Sequence, residues 1–100
     1  MAAVRSLESI DDVIHQKVRL GVMSFLMGLG EADFNCLKAE LGVSDGNLST
    51  HLTVLEDSGY VAVVKEFVGK KPRTTYSPTP AGRRAFEEYV AALEAFVKTG

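Results

Sequence analysis

Cysteine is almost absent from this sequence, which limits both covalent cross-links and metal sites. Cys36 is the only one, so no disulfide can close within one chain. A metal site would have to recruit His15 or His51 from distant positions, so we expect no metal and no other cofactor. We expect Cys36 to be a small apolar residue that fills space on a helix, with redox sensing as the alternative.

Long apolar runs are missing too. The longest apolar-looking stretch, residues 20–29, is interrupted by two glycines and a serine. It is well below the roughly 20 residues that a membrane span needs. Acidic residues close to the N-terminus leave no apolar segment of the kind found in signal peptides. We therefore expect one domain, residues 1–100, that is cytoplasmic and has no membrane partner.

The sequence also lacks an overall excess of positive charge. Its net charge of −2 does not favour a generic polyanion binder. The charge is unevenly distributed, however. Between residues 60 and 84, six basic residues stand against one acidic residue, a local charge of +5 that leaves −7 for the remainder. The basic residues are Lys65, Lys70, Lys71, Arg73, Arg83 and Arg84. A local patch of this kind suits contacts with phosphates.

A three-residue junction between two helices is predicted at residues 42–44. Gly42 can adopt the left-handed conformation that ends a helix, and Ser44 is a good N-cap for the next helix. The next helix is predicted to run from Ser44 to about Ser58, where Gly59 ends it. Two helices joined by such a short turn form a helix-turn-helix.

The second helix of this pair is apolar on one side and short, polar and nearly uncharged on the other. Its apolar stripe has the spacing i, i+4, i+7 and comprises Leu48, Leu52 and Leu55. The opposite side comprises Asn47, Ser49, Thr50, Thr53 and Val54. A surface helix would usually carry Lys and Glu there, whereas short amides and hydroxyls can reach base edges and phosphates in the major groove. The pattern favours a DNA-recognition helix, and a solvated face rich in Ser and Thr is the alternative.

The other elements are predicted from the spacing of apolar residues and from the glycine, proline and capping residues between them. Residues 1–9 are expected to be weakly ordered or a short lead-in helix. The predicted elements are a long first helix from Ile10 to about Met27, broken near His15 if at all; a bridge at residues 31–32; a second helix from Asp33, its cap, to Leu41; strands at Tyr60–Val68 and Thr74–Ser77 around a hairpin tip at residues 69–72; and a last helix, capped by Thr79, from Pro80 to about Lys98.

The last helix carries an apolar stripe that is longer than a small core can cover. It comprises Phe86, Tyr89, Val90, Leu93, Phe96 and Val97. Left uncovered, its distal part would be an exposed apolar patch. A second copy is the simplest cover, because the same stripe on a twofold mate is self-complementary. We therefore expect this helix to be a dimerisation element, and a helix packed wholly on its own chain is the alternative.

This order of elements resembles the winged helix-turn-helix regulators of the MarR and ArsR type, in a compact one-domain subfamily. The resemblance rests on four segments in the same order: residues 46–52, 55–61, 69–74 and 79–83. It implies a mainly α fold with a small β-hairpin (α+β), a winged helix core at residues 10–79 and a C-terminal dimerisation helix at residues 80–98. The paired cysteines of the metal-sensing branch are absent, so the resemblance does not imply metal sensing. The chain is also shorter than typical MarR proteins, whose longer terminal helices enclose a ligand pocket, so a small-molecule effector is unknown.

The function expected from these observations is that of a sequence-specific transcriptional regulator, acting as a homodimer on a palindromic operator in double-stranded DNA. Its expected DNA contacts are Ser44, Asn47, Ser49, Thr50, His51 and Thr53 on the recognition helix, with Lys65, Lys70, Lys71 and Arg73 on the hairpin, or wing. The alternative is a winged helix module that binds protein without specific DNA binding. We do not expect an enzyme, because Ser49 and His51 at i and i+2 of a helix point apart.

Overall fold

A computed structural model describes residues 7–99. Its elements, in chain order, are a short 3-10 turn at Leu7–Ser9, α1 at Lys17–Leu29, β1 at Ala32–Asp33, α2 at Phe34–Leu41, α3 at Asp45–Asp57, β2 at Val61–Val68, β3 at Lys71–Pro78 and α4 at Pro80–Thr99. The part of the expected N-terminal lead-in that falls on residues 1–6 lies outside the described residues.

The first helix begins later than predicted, at Lys17 instead of Ile10. Asp11 Oδ1 accepts hydrogen bonds from the backbone N–H groups of Val13 at 2.8 Å and Ile14 at 3.1 Å, which holds a turn before the helix. The side chain of Gln16 then caps α1 by accepting two further backbone N–H groups. The prediction of a continuous helix from Ile10 is wrong because these side chains satisfy backbone donors in a turn and a cap.

The helix-turn-helix junction is confirmed. Gly42 has φ 63° in the left-handed region and ends α2. Ser44 Oγ accepts the N–H of Asn47 at 3.2 Å and so caps α3. Asp33 caps α2 in the same way, by accepting the N–H of Cys36 at 2.8 Å. Both caps come from residue types that satisfy unpaired donors in the first turn of a helix.

The three strands form an antiparallel sheet in the order β1-β3-β2. The hairpin of β2 and β3, the wing, pairs Val61 with Pro78 at its base and Val68 with Lys71 at its end. Its tip is therefore only Gly69-Lys70, shorter than the predicted four residues. Gly69 has φ 67°, as the first position of a two-residue type II′ turn requires, so the strands continue to the very tip.

The main core lies between α1, α2, α3 and the base of the wing. Its fully or nearly fully buried residues are Val22, Met23, Leu26, Ala32, Leu37, Leu48, Leu52, Leu55 and Val61. The predicted leucine stripe of α3 is thus confirmed as the inward face. A second cluster packs Ile14, from the turn before α1, against Ala85 and Tyr89 of α4. Phe86 and Tyr60 contact both clusters and join α4 to the rest.

The start of α4 is locked to the segment that enters the wing. Thr79 caps the helix by accepting the N–H of Gly82 at 2.9 Å and donates its own hydroxyl to the carbonyl oxygen of Gly59 at 2.6 Å. A Cβ on Gly82 would meet the backbone of Tyr60, 2.8 Å from its carbonyl carbon. The helix can approach this closely because Gly82 has no side chain.

Tyr60 also ties the wing to the N-terminal turn. Its hydroxyl donates to Asp11 Oδ2 at 2.6 Å. This hydrogen bond, with burial and the negative charge of Asp11, raises the pKa of Tyr60 to about 12. Because the folded state favours the neutral phenol, the stabilisation is present below pH 10 and is lost as the pH rises toward 12. Among residues 7–99, no helix is long and apolar enough to cross a membrane.

Candidate DNA-binding surface

The outer face of α3 is polar and accessible along its length. Asn47, Ser49, Thr50 and Thr53 are all exposed, on the side opposite the buried leucines. None of the four can form a salt bridge, so this face carries amides and hydroxyls with little charge. The sequence correctly indicated that these four residues face solvent, because the face opposite a buried stripe is determined by helical periodicity. Val54, predicted on the same side, is half-buried.

The hydroxyls on this face differ in what they can do. Thr50 donates its O–H to the carbonyl oxygen of Gly46 at 2.9 Å, and Thr53 donates to that of Ser49 at 3.0 Å. Their hydroxyl oxygens are left as acceptors, and a base amino group is a suitable donor to them. Within residues 7–99 the side-chain amide of Asn47 makes no hydrogen bond, so it offers both a donor and an acceptor.

The N-terminus of α3 carries a carboxylate that is neutralised within the chain. Asp45 occupies the first turn, where a negative charge opposes a phosphate. Lys38 of α2 lies 2.7 Å from Asp45 Oδ1 and forms an ion pair with it. Ser44, one residue earlier, accepts the N–H of Asn47 and keeps its own O–H for an outside acceptor. The helix N-terminus can therefore meet a phosphate through Ser44 while Lys38 offsets the charge of Asp45.

His51 is held more firmly than its sequence position suggested. The sequence predicts that His51 contacts DNA from the flank of α3. In the structure it is half-buried, and its Nδ1 lies 2.9 Å from Nη1 of Arg19. Burial and the charge of Arg19 lower the pKa of His51 below its ordinary value of 6.5, so the ring is neutral at pH 7. Since Arg19 can only donate, Nδ1 must accept, and the ring proton of His51 is on Nε2.

Arg19 is a residue that sequence reasoning missed. Its Nε donates to the carbonyl oxygen of Val13 at 2.6 Å while its other nitrogen holds His51, so it connects the N-terminal turn to the recognition helix. Nothing in the sequence signals this contact, because 32 residues separate the two side chains along the chain. Only the packing of α1 against α3 brings them together.

The wing carries its four predicted cations in exposed positions, but the register distributes them over two faces. Lys65 lies on the face that continues from the buried Val61, Lys71 and Arg73 lie on the other, and Lys70 is at the tip. Arg73 Nε also lies 3.5 Å from Asp33 Oδ2, so it fastens the wing to the start of α2. Sequence spacing did not reveal this second role of Arg73.

The wing also exposes apolar side chains that the sequence analysis did not single out. Phe67 is 74% exposed, and Val64 and Val68 are each 55% exposed. The strand pattern could have revealed Phe67, because it lies two residues from the Gly69-Lys70 tip, where a hairpin has no core to cover it.

The six residues expected to form the dimer surface fall into three groups. Tyr89 is 2% exposed and Phe86 is half-buried, so both are committed to the core of their own chain. The expectation that Tyr89 serves a second copy needs correction, because Ile14 and Ala85 already cover it. Leu93 and Phe96 are half-buried, whereas Val90 and Val97 are exposed.

Cys36 is exposed on α2, so the expectation that it fills space in the interior is wrong. Its neighbour Leu37 provides the buried side of that helix. His15, considered above as a possible metal ligand, is exposed and makes a 2.9 Å hydrogen bond through Nδ1 with the hydroxyl of Tyr89. Neither residue lies in a group of three or more metal-binding side chains within residues 7–99.

These features, a capped helix-turn-helix followed by a basic hairpin and a long helix, match a known family model. The model describes a winged helix DNA-binding domain and aligns with residues 18–97. The chain belongs to this family. An uncharacterized protein of Methanocaldococcus jannaschii is a relative, 36% identical over 78 residues, which are 78% of this chain and 85% of that protein.

Solved winged helix structures share the fold over most of the chain. A transcriptional regulator homologue from Pyrococcus horikoshii OT3 superposes with a TM-score of 0.82 at 28% identity, covering 98% of this chain and 93% of that one. A transcriptional regulator of the MarR family from Enterococcus faecalis V583 superposes with a TM-score of 0.72 at 26% identity, covering 87% and 77%. Family and fold together identify a winged helix DNA-binding regulator similar to MarR proteins.

Proposed function

We propose that this winged helix protein is a sequence-specific transcriptional regulator that binds a palindromic duplex as a homodimer. The observation that carries the proposal is the outer face of α3, which is exposed, polar and nearly uncharged, and is followed directly by a basic wing. A face of amides and hydroxyls suits base edges in a major groove, and lysines on a protruding ribbon suit the phosphates beside it.

Different side chains of α3 make different contacts with DNA in this proposal. Asn47 has the donor and acceptor that pair bidentately with adenine, a contact worth roughly 1 to 3 kcal/mol of discrimination. Thr50 and Thr53 present acceptors and methyl groups to bases, because their O–H groups are bonded to the helix backbone. Ser49 and Ser44 donate hydroxyls, and His51 donates its Nε2–H to a phosphate at the flank.

The dimer is the second part of the proposal. A palindrome is read when two recognition helices lie about one DNA turn, ~34 Å, apart, which one copy of α3 cannot achieve. The distal half of α4 supports dimerisation, because Val90 and Val97 are exposed in the single chain and a second copy could cover them. They border an apolar groove of about 370 Å³ that also includes Leu20 and Leu93. We propose residues 10–79 as the DNA-binding core and residues 80–98 as the dimerisation helix.

No catalytic activity belongs to this proposal. The pair Ser49 and His51 cannot act as nucleophile and base, because Nδ1 of His51 is bonded to Arg19 and the two side chains leave α3 in different directions. The cytoplasmic location expected from the sequence stays a prediction, in keeping with a partner that is chromosomal DNA.

The test is selection of bound duplexes from a random DNA pool at near-physiological salt, with the full chain as bait. We expect enrichment of an inverted repeat whose half-sites are about 10 base pairs apart. The same selection with the Asn47→Ala variant tests the role of this side chain. The variant should lose base preference at one position of each half-site while the other positions stay enriched.

Two outcomes contradict the proposal in different ways. A pool that is not enriched leaves the alternative of a winged helix module that binds protein. Enrichment of a single half-site without symmetry contradicts the homodimer and keeps sequence-specific binding.

A further inference from the structure

Arg19 makes two side-chain hydrogen bonds that join three parts of the fold. Its Nε donates to the carbonyl oxygen of Val13 at 2.6 Å, in the turn before α1, and its Nη1 lies 2.9 Å from Nδ1 of His51 on α3. Arg19 and His51 are both half-buried. A guanidinium is planar, so bonds made through two of its nitrogens fix the orientation of the whole group. Arg19 therefore holds the ring of His51 at a defined place beside α3.

The carbonyl group that orients Arg19 belongs to a turn that is itself held from another side. Asp11 Oδ1 accepts the backbone N–H groups of Val13 and Ile14. Asp11 Oδ2 accepts the hydroxyl of Tyr60, next to the base of the wing. Ile14, in the same turn, is fully buried. The guanidinium of Arg19 is thus anchored to a part of the fold outside α1 and α3, and a side chain supported in this way keeps one orientation.

The contact also determines which form of His51 fits this place. A guanidinium can only donate, so Nδ1 of His51 accepts and the ring proton is on Nε2. Among residues 7–99, the charge that acts on the ring is that of Arg19. Protonation of the ring would set two N–H donors and two positive charges against each other across 2.9 Å. The imidazolium form must therefore leave this position.

The position that Arg19 imposes lies at the edge of the polar face of α3. His51 comes one helical turn after Asn47, so the two side chains are neighbours on the helix surface. On its other side, His51 borders the buried leucine stripe of α3. A donor at this edge can meet a phosphate that flanks the groove which Asn47 enters in the proposed complex.

We infer that Arg19 is a positioning residue for DNA binding: from α1, and without touching DNA, it holds the ring of His51 so that its Nε2–H donates to a phosphate at each half-site. This inference rests on the proposed function and deepens it. It assigns part of the operator affinity to a helix that lies outside the helix-turn-helix.

A double-mutant cycle on the full chain and the selected operator tests the inference, with fluorescence anisotropy as the readout. Arg19→Ala should weaken operator binding about tenfold, because His51 then loses its fixed orientation. In a chain that already carries His51→Ala, the same substitution should change the affinity by less than about twofold, because no ring remains to be positioned. A residue that only supports the fold would weaken binding by the same factor in both chains. Circular dichroism checks that every variant retains its helices.

The pH dependence of binding gives a second readout that a merely structural role would not change. As the pH falls from about 8 to about 5.5, the parent should lose affinity, because a protonated ring is repelled by Arg19. In Arg19→Ala that charge is gone, so the pKa of His51 rises toward its ordinary value and binding should strengthen, because the imidazolium attracts phosphate. His51→Ala, which retains His15 and the other titrating groups, corrects both profiles.

Two further variants separate position from charge. Lys17→Ala is the matched control, because it removes one exposed positive charge from the same helix, two residues earlier. It should keep the parent's pH profile and its dependence on His51. Arg19→Lys keeps the charge but has no planar fork, so it should not recover the parent's affinity.

A measurement on the parent needs no variant at Arg19 and so does not depend on the folding of one. Nitrogen NMR of the imidazole rings reports which nitrogen of His51 carries a proton. At pH 7 we expect a protonated Nε2 and an unprotonated Nδ1, both in the free protein and in the operator complex.

Each result assigns failure to one claim. If the parent binds no duplex, the proposed function and the inference fall together. If the parent binds its operator and Arg19→Ala binds equally well, the inference is wrong and the proposed function stands. The same holds for equal losses in both arms of the cycle, for parental affinity in Arg19→Lys, for an effect of Lys17→Ala equal to that of Arg19→Ala, and for a doubly protonated ring in the complex.

Discussion

His51 and Arg19 illustrate how a single contact changes the chemistry of a side chain on α3. In sequence, His51 is a polar residue on the flank of a helix, available in either protonation state. In the structure, Arg19 donates to its Nδ1, and burial with this nearby charge lowers the pKa of His51. The free protein therefore presents the Nε2–H of a neutral ring to an outside acceptor. The tautomer, and with it the role, is set by a residue on another helix.

Gly82 gives a prediction at the same scale. Gly82→Ala should lower the free energy of unfolding by about 1 to 3 kcal/mol, because the new Cβ overlaps the backbone of Tyr60, which cannot move aside as a flexible side chain could. The matched control is Gly28→Ala, also in a helix, where a Cβ meets nothing within 4 Å. Helix propensity alone should make that variant more stable by roughly 0.5 to 1 kcal/mol.

Urea unfolding followed by circular dichroism measures both variants. Equal stabilisation by the two alanines would show that α4 can shift away from Tyr60, and that the close approach at the start of α4 does not hold the wing in place.

The wing is an element whose position and charge are determined separately. β1 pairs with β3 through Ala32 and Asp33, and Asp33 also caps α2 and forms an ion pair with Arg73. These contacts fix the base of the ribbon relative to the helix-turn-helix. Lys70 and Lys71, farther out, make no salt bridge within residues 7–99 and are available to an outside anion.

We expect the double variant Lys70→Ala, Lys71→Ala to bind operator and random DNA more weakly by similar factors. The slope of log affinity against log salt should fall by ~0.9 for each phosphate that the wing no longer neutralises, and so by roughly 1.8 in all. Arg73→Ala should lower the slope less, because its guanidinium is already shared with Asp33.

Salt titrations at several concentrations measure these slopes, with Lys98→Ala, which removes one exposed positive charge at the far end of α4, as the control outside the wing. The same slope for the double variant and the control would remove the wing from the DNA contact surface.

The shape of the whole molecule bears on its oligomeric state. The described chain measures 56 × 25 × 21 Å, so it is elongated, and the 20-residue α4 extends past the main core. One apolar groove borders its distal half at Val90 and Val97, and a second, of about 380 Å³, lies on the other side against Ile10 and Phe96. Two apolar grooves along one protruding helix are what a twofold mate would fill.

We expect Val90→Glu and Val97→Glu each to convert a dimer into a folded monomer with reduced operator affinity, because a carboxylate buried without a partner between two copies costs several kcal/mol. Both valines are exposed in one chain, so the variants should fold. The matched control is Ala91→Glu, which adds the same charge at an exposed position on the other side of α4.

Analytical ultracentrifugation at micromolar concentration measures the oligomeric state of the parent and of the three variants. A monomeric parent, or three variants with the parent's oligomeric state, would contradict dimerisation through α4.

The sequence by itself, through apolar spacing and through turn and capping residues, determined several features of this protein. They are the order of elements, the leucine face of α3, the glycine and serine of the helix-turn-helix junction, and the threonine cap of α4. These features depend on neighbours within about one helical turn, so the local sequence contains the information. The late start of α1 escaped prediction because Asp11 and Gln16 compete for backbone donors in a segment whose apolar spacing still looks helical.

Tertiary structure alone decided which side chains meet across distant parts of the chain. The pairing of Arg19 with His51, the Asp33–Arg73 ion pair and the burial of Tyr89 against Ile14 all join residues from different elements. No local pattern encodes such a contact, because it depends on the packing angles between helices and on strand register. The same packing leaves Phe67 exposed, since a two-stranded ribbon that extends beyond the core has nothing in its own chain to cover it.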